Sequence, residues 1–328
     1  IALSKANQLN HALMVLNLSY EIEAANFGDK YMLITNRSGP HMSLTRLPSQ
    51  LPFFSKADYQ SYVTRLGVMP ANLEKATNTL RSGLEAGWVQ PCSPMVGYES
   101  SISAHIVDPS DSIFMRPFTN KPAAMGQDDF NTLKATALAT IEAQIIPAFK
   151  TFQTFYNSEY ALQCRTQVGS SSLPGGTDYY AYRTRMFTTT DMTPEQVHKT
   201  GLSEVARIKA EMEDVKQQAG FEGTFAQWLA FLRTDEQFYF KTGQERLDAA
   251  AVIGKKIDGA LPQLFTKFPR MPWGLKEIPL DIAEKTTTAY YQRPAGDGSR
   301  AGFYFVNTTK LDTRPSYELE ALSLHEAV

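Results

Sequence analysis

The sequence predicts a mainly α-helical fold with one short β-strand near its end. Across most of the 328 residues, apolar side chains recur at three- and four-residue spacing, which is the period of a helix with one buried face. These runs begin at residues that cap helices and end at glycine or proline. Residues 301–307 differ, because they are aromatic and β-branched and follow a glycine-rich turn.

The overall composition excludes two classes of protein. The net charge is −2, with 32 basic and 34 acidic residues mixed along the chain, so no basic surface for a nucleic acid backbone is expected. No run of about 18 apolar residues is present, so the chain is not expected to span a membrane. Cys92 and Cys164 form no CxxC motif, and their spacing leaves open whether they form a disulfide.

The first half of the sequence predicts helices separated by loops. Ser4 can cap a helix that runs to about Gly28. Residues 31–54 contain asparagine, glycine and proline and are predicted as a connecting loop. Helices are predicted over residues 56–66 and 71–84, because a glycine lies just beyond each run.

A long helical pattern and a loop define the predicted division of the chain. Residues 128–160 have the period of a helix that Pro147 must kink or split. Residues 169–176 are rich in serine, glycine and proline, which is typical of a hinge. We therefore predict a helical N-terminal lobe over residues 1–170 and a second region over residues 171–328.

Helix starts are clearest in the second region. Thr193 can cap a helix, and Gln196 stands three residues later, where a capping-box side chain reaches back. This helix is predicted to run to Gln218. Thr224 and Thr242 can cap two further helices.

The last predicted helix opens at Pro315 and contains His325 and Glu326. A neutral imidazole is a common zinc ligand, and a carboxylate beside it can act as the general base on a zinc-bound water. The dipeptide alone is a weak signal, because the second histidine that makes such motifs specific is absent. The alternative interpretation is a solvated helix end.

Longer stretches of the sequence carry a resemblance to a known family. They are residues 289–291, 294–295, 297–300, 303–307 and 324–328, and upstream residues 192–198, 201, 204–212, 220–221 and 261–265, with weaker similarity at 38–41 and 47–48. In these motifs the chain resembles the bacterial domain of unknown function 885 family, which is grouped with the zincin-type metallopeptidases. The resemblance covers most of the chain and is strongest in the second half.

The resemblance implies a zincin-like helical architecture, with a small β-sheet beside the metal-binding helix and zinc as the cofactor. It implies His325 as a metal ligand and Glu326 as the catalytic base. In that family the motif continues with Pro-Gly-His, which supplies a second ligand, and an acidic ligand is expected further downstream. Because this sequence stops at Val328, we expect residues 171–328 to be the first part of the catalytic region. The remainder of the same protein would complete the site, and this piece alone is expected to be inactive.

A peptide is the expected substrate, cleaved by zinc-dependent hydrolysis. Residues 303–306 are predicted as a sheet edge, where an extended peptide can pair as an added strand. The candidate substrate-binding residues are Phe303, Tyr304, Asn307, Tyr291 and Arg300. The tyrosines have a structural alternative, since they can fill the interface between sheet and helix. The arginine can instead pair with surface carboxylates.

A second function from a different class stays open, namely a helical envelope protein that binds peptides or partner proteins without catalysis. A downstream histidine and acidic ligand in the encoded protein would favour the enzyme. The resemblance and the missing initiator methionine also predict export to the periplasm, with or without the lipid anchor of a lipoprotein. His41, His105 and His198 have no second ligand at metal spacing. Of these three, His41 is the best candidate for another role, because it lies in a predicted loop.

Overall fold

A computed structural model describes residues 3–284, 286–296, 298 and 300–327. The chain divides into two compact units, Ile1–Gly201 and Leu202–Val328. The sequence predicted this division at residue 170, in the loop before helix Gly176–Thr188. The observed boundary falls later in the chain, because that helix belongs to the first unit. There the Tyr182 hydroxyl donates to the Tyr20 carbonyl oxygen at 3.1 Å.

Helices account for most of the secondary structure. In chain order the α-helices are α1 (Lys5–Ala24), α2 (Pro40–Thr45), α3 (Leu47–Gln50), α4 (Lys56–Ala86), α5 (Tyr98–Ser103), α6 (Gln127–Thr140), α7 (Ile146–Phe155), α8 (Gly176–Thr188), α9 (Pro194–Gln218), α10 (Phe225–Thr234), α11 (Gly243–Ala260), α12 (Leu280–Ala283) and α13 (Leu319–Ala327). The strands are β1 (Trp273–Glu277), β2 (Ala289–Gln292) and β3 (Gly302–Val306). The prediction of a mainly α fold with a small sheet is confirmed. In the described part of the chain, no helix is long and apolar enough to cross a membrane.

Helix α4 is continuous where the sequence predicted two helices. Leu66, Met69 and Leu73 are buried, so the apolar period continues through Pro70. A proline inside a helix costs about 3 kcal/mol, and burial of these side chains offsets that cost. The helix stops at Gly87, whose φ of 74° lies in the left-handed region that favours glycine.

The helical pattern predicted over residues 128–160 is interrupted near Pro147, as the sequence predicted. Helix α6 passes through a π turn, Ile141–Ile145, into α7. Proline lacks an N–H, and its ring clashes with the carbonyl group four residues earlier, so a wider turn accommodates it. Phe149, Phe152 and Phe155 of α7 then lie in the main core of the first unit.

Two other features of the first unit answer questions raised by the sequence. Cys92 and Cys164 form a disulfide. The predicted loop at 31–54 contains the short helices α2 and α3. A proline stands in the first turn of each, Pro40 and Pro48, where its missing N–H is not needed for a helical hydrogen bond.

The predicted helix starts of the second half are confirmed. The Thr193 amide donates to Gln196 Oε1 at 2.8 Å, and the Gln196 amide donates to Thr193 Oγ1 at 3.2 Å. Thr224 and Thr242 begin α10 and α11 with capping boxes of the same kind. These bonds satisfy amide groups that have no partner within the helix.

The sheet has the order β1-β3-β2, so β3 is the central strand. It pairs in parallel with β1 and antiparallel with β2. The strand predicted within residues 301–307 is therefore present. The prediction that it forms the edge of the sheet is wrong, because both of its edges are already hydrogen-bonded to neighbouring strands.

Candidate functional site

Helix α13 places His325 and Glu326 in different surroundings. Leu319, Ser323 and Ala327 recur every four residues and are buried, on the face that meets α11 and β2. His325 lies off this face and is exposed, whereas Glu326 is half-buried next to Ala327. The imidazole therefore faces solvent, and the carboxylate lies at the border of the interior.

The exposed imidazole of His325 fits the role of one zinc ligand, since zinc takes a neutral imidazole nitrogen. Among the residues that the structure describes, no group of three or more His, Cys, Asp or Glu side chains is arranged to hold a metal ion. A catalytic zinc needs three protein ligands and a water. A catalytic zinc ion at His325 would thus need at least one ligand from outside the described residues.

A polar cluster lies beneath α13. Tyr304 of β3 is fully buried, and its hydroxyl lies 3.3 Å from the Ser323 hydroxyl. Burial raises the pKa of Tyr304, and the negative charge of Glu326 raises it further, against the opposing effects of Ser323 and Arg246. The Glu326 carboxylate and the Tyr304 hydroxyl are therefore near enough to interact electrostatically.

Arg246 of α11 is a cation held in the same interior. It is 1% exposed, and its Nη1 donates to the Arg314 carbonyl oxygen at 3.1 Å. Its Nε has no acceptor among the described residues. Burial lowers the pKa of Arg246, and the charge of Arg314 lowers it further. Sequence reasoning missed this residue, although its four-residue spacing from the buried Ala250 and Gly254 was a sign that it lies on the apolar stripe.

Two predicted substrate-binding residues are interior, and their assignment is corrected. Asn307 is fully buried, and its amide nitrogen donates to the carbonyl oxygens of Ala283 and Thr287 at 2.6 and 3.0 Å. Its side-chain oxygen accepts from the amide and hydroxyl of Thr309 at 3.0 and 2.8 Å. The hydrogen-bonding capacity of Asn307 is thus used within the protein, and the buried Tyr304 cannot contact a substrate directly.

The other three predicted residues are more accessible. Phe303 is half-buried on the opposite face of β3 from Tyr304, and the Lys276 ammonium lies 3.7 Å from its ring centroid. Tyr291 of β2 is 37% exposed, and Arg300 is exposed just before β3. Both β2 and β3 meet α13, but β2 is an edge strand of the described sheet, so Tyr291 is the candidate on an edge strand next to the His-Glu helix.

The remaining histidines take no part in this arrangement. His41 lies in α2 and is fully buried, with its Nε2 2.9 Å from the Ser101 hydroxyl oxygen and its Nδ1 unpaired among the described residues. Burial, together with the neighbouring His105, lowers the pKa of His41 to about 4. It is a core residue instead of a loop site. His198 is exposed on α9.

Fold and site together define a mainly helical protein whose last helix carries a His-Glu pair beside a three-stranded mixed sheet. The chain belongs to the family described as bacterial protein of unknown function (DUF885), whose model matches residues 2–328. Its fold is similar to the crystal structure of the "putative lipoprotein from Colwellia psychrerythraea", with a TM-score of 0.82 at 20% sequence identity. That similarity covers 90% of this chain and 52% of the other, so the chain spans about half the length of this relative. No curated protein is significantly similar to the chain.

Proposed function

We propose that the complete encoded protein is a zinc-dependent peptidase, in which His325 is one metal ligand and Glu326 is the general base. The observation that carries this proposal is their placement on α13, with the histidine exposed and the glutamate half-buried beside it. Zinc, when bound, would lower the pKa of a water molecule towards neutrality. Glu326 would accept the proton of that water and pass it to the leaving amine.

The interior behind α13 supports a fixed position for this base. Tyr304 connects β3 to α13 through the Ser323 hydroxyl, three residues before Glu326. The buried Arg246 lies in the same cluster. The contact between Tyr304 and Ser323 joins the helix to the sheet, and a base held in one orientation loses less entropy when it reaches the reacting proton.

The peptide is proposed to pair with the outer edge of β2. The strand β3 is excluded as an edge, whereas β2 is the last strand on its side of the described sheet and meets α13. An extended peptide added there would form main-chain hydrogen bonds, and its side chains would pass Tyr291. This replaces the binding edge that the sequence predicted.

We also propose that the protein is exported to the periplasm, where a lipid anchor would hold it at a membrane. The relative from Colwellia psychrerythraea is described as a "putative lipoprotein". The absence of a spanning helix from the described residues is compatible with such an anchor. Zinc, peptide and the remainder of the encoded polypeptide are the partners that this proposal requires.

Two substitutions in the complete protein test the assigned roles, each with a matched control. Glu326→Gln removes basicity but keeps size, so peptide hydrolysis should fall by about 100-fold or more while zinc stays bound. His325→Ala should lose zinc. The controls are Glu320→Gln, an exposed glutamate of the same helix, and His198→Ala, an exposed histidine of α9, and both should retain zinc and activity.

The measurements are zinc content by elemental analysis and hydrolysis of a mixed peptide library. If Glu326→Gln hydrolyses peptides at the wild-type rate, or His325→Ala keeps both zinc and activity, the roles are wrong. A complete protein that binds peptides, holds no zinc and hydrolyses nothing would instead favour the non-catalytic envelope protein.

A further inference from the structure

An exposed apolar loop follows α11 in the second unit. After a short turn at Leu261–Gln263, the chain runs without helix or strand to β1. Leu264, Phe265 and Phe268 are 71%, 48% and 51% exposed. We call residues 264–270 the apolar loop. Exposing three large apolar side chains within five residues is unfavourable in water, so this loop is expected to have a partner.

The apolar loop itself carries only positive charge, and Asp258 and Glu277 are the acidic residues that flank it. Residues 259–276 contain Lys267, Arg270 and Lys276 and no acidic residue. Lys255 and Lys256 lie near the end of α11, where Lys255 pairs with Asp258 at 3.4 Å. No ion pair within the described residues involves Lys267 or Arg270, and both are exposed. Two exposed cations, Lys267 and Arg270, thus lie within the same seven residues as the three exposed apolar side chains.

The shape of the loop favours a surface over a groove or a small ligand. Pro262 and Pro269 interrupt any helix through the segment, so it does not offer an amphipathic helix to a partner groove. The cavities lined by Cys92 and Tyr156, by Tyr31 and Glu74, and by Arg233 and Asp312 include none of its residues. Apolar anchors beside lysine and arginine are the combination that binds the headgroup region of an anionic bilayer.

Charge also separates this loop from helix α1, which is another part of the chain with exposed apolar side chains. Helix α1 exposes Leu9, Leu13 and Met14, but no lysine or arginine follows Lys5 within that helix. An anionic surface would therefore gain little by contacting α1. The same apolar exposure without the cations makes α1 a suitable control.

We propose that the apolar loop docks on the surface of a membrane that contains anionic phospholipids. Leu264, Phe265 and Phe268 enter the boundary between headgroups and acyl chains, and Lys267 and Arg270 lie at the phosphate level. The contact would hold the unit that carries His325 at the membrane, whether or not that unit is catalytic. It is independent of the proposed peptidase activity.

The test is co-sedimentation of the complete, unlipidated protein with vesicles made of equal parts phosphatidylglycerol and phosphatidylcholine. Replacing Leu264, Phe265 and Phe268 together by serine should lower the partition coefficient by at least about tenfold. Lys267→Gln and Arg270→Gln should each lower it by about fivefold. The triple serine variant at Leu9, Leu13 and Met14 should bind as the wild type does. Circular dichroism of each variant checks that it is folded.

Three results would overturn the proposal. The first is equal binding of the complete protein to pure phosphatidylcholine vesicles and to anionic vesicles, which would remove the role of the cations. Equal binding by the loop variant and the α1 variant removes the role of the apolar anchors. Binding by residues 1–328 but not by the complete protein would mean that the rest of the polypeptide covers the loop.

Discussion

Protonation of the buried His41 should destabilise the first unit at acidic pH. The pKa of this histidine is lowered from 6.5 to about 4 by burial and by His105. The unfolded chain therefore binds the proton before the folded chain as the pH falls. Stability is full above pH 6.5 and decreases towards pH 4. The difference of 2.5 pKa units corresponds to about 3 kcal/mol at 1.36 kcal/mol per unit.

The assay is urea denaturation at neutral pH and at pH 4, followed by tryptophan fluorescence. Trp88 is buried in the first unit, and the other two tryptophans, Trp228 and Trp273, lie in the second. Replacing these two by phenylalanine leaves a reporter for the first unit alone. His41→Gln cannot gain the proton, so its loss of stability should be smaller than that of the wild type by about 3 kcal/mol. Equal losses in the two proteins would refute the reasoning.

Three further predictions follow from the described contacts. Gly67 has open space around the Cβ position, so Gly67→Ala should raise the free energy of unfolding of the first unit by about 0.5–1 kcal/mol. Gly87→Ala should lower the same free energy by about 1–2 kcal/mol, because φ at this position is 74°. Changes of the same sign in the two variants, measured by urea denaturation with Trp88 fluorescence, would contradict this prediction. Asn307→Ala removes the hydrogen-bond donor of buried carbonyl groups and should lower the free energy of unfolding of the second unit by about 2–4 kcal/mol. The measurement is denaturation followed by Trp273 fluorescence, and a decrease below about 1 kcal/mol would count against the structural role of Asn307. Residues 1–328 alone should bind zinc weakly and hydrolyse no peptide, and tight stoichiometric zinc in elemental analysis would show that the site is complete without further ligands.

Local signals in the sequence predicted local structure well. Ser4 accepts a hydrogen bond from the Asn7 amide at 3.3 Å and begins α1, and the capping boxes at Thr224 and Thr242 begin α10 and α11. A cap is formed by residues three or four positions apart, so its partners are all visible in one short stretch of sequence.

Structure that depends on distant residues was predicted less well. The sequence predicts a break between residues 66 and 71, but buried side chains on both sides of it hold α4 together. The strand β3 was recognised from its composition, yet its central position depends on pairing with β1, which lies far earlier in the chain. Composition predicts a strand but not its neighbours, because pairing partners are set by tertiary packing.

In the candidate site too, local features were predicted from the sequence and contacts between distant residues were not. The position of His325 and Glu326 on a helix could be predicted from sequence, and the structure has that helix. The burial of Asn307 and Arg246 could not, because both are polar residues whose partners come from other elements. Buried polar groups of this kind are satisfied by contacts that no local pattern records.

The central claim is that a zinc ion binds at His325 in the complete protein. The most direct measurement is an anomalous difference map from crystals of that protein, collected on both sides of the zinc absorption edge. The account predicts a peak at about 2.0–2.1 Å from an imidazole nitrogen of His325, with the Glu326 carboxylate within hydrogen-bonding reach of a water on the metal. A zinc peak held by other residues, with His325 free in solvent, would contradict it.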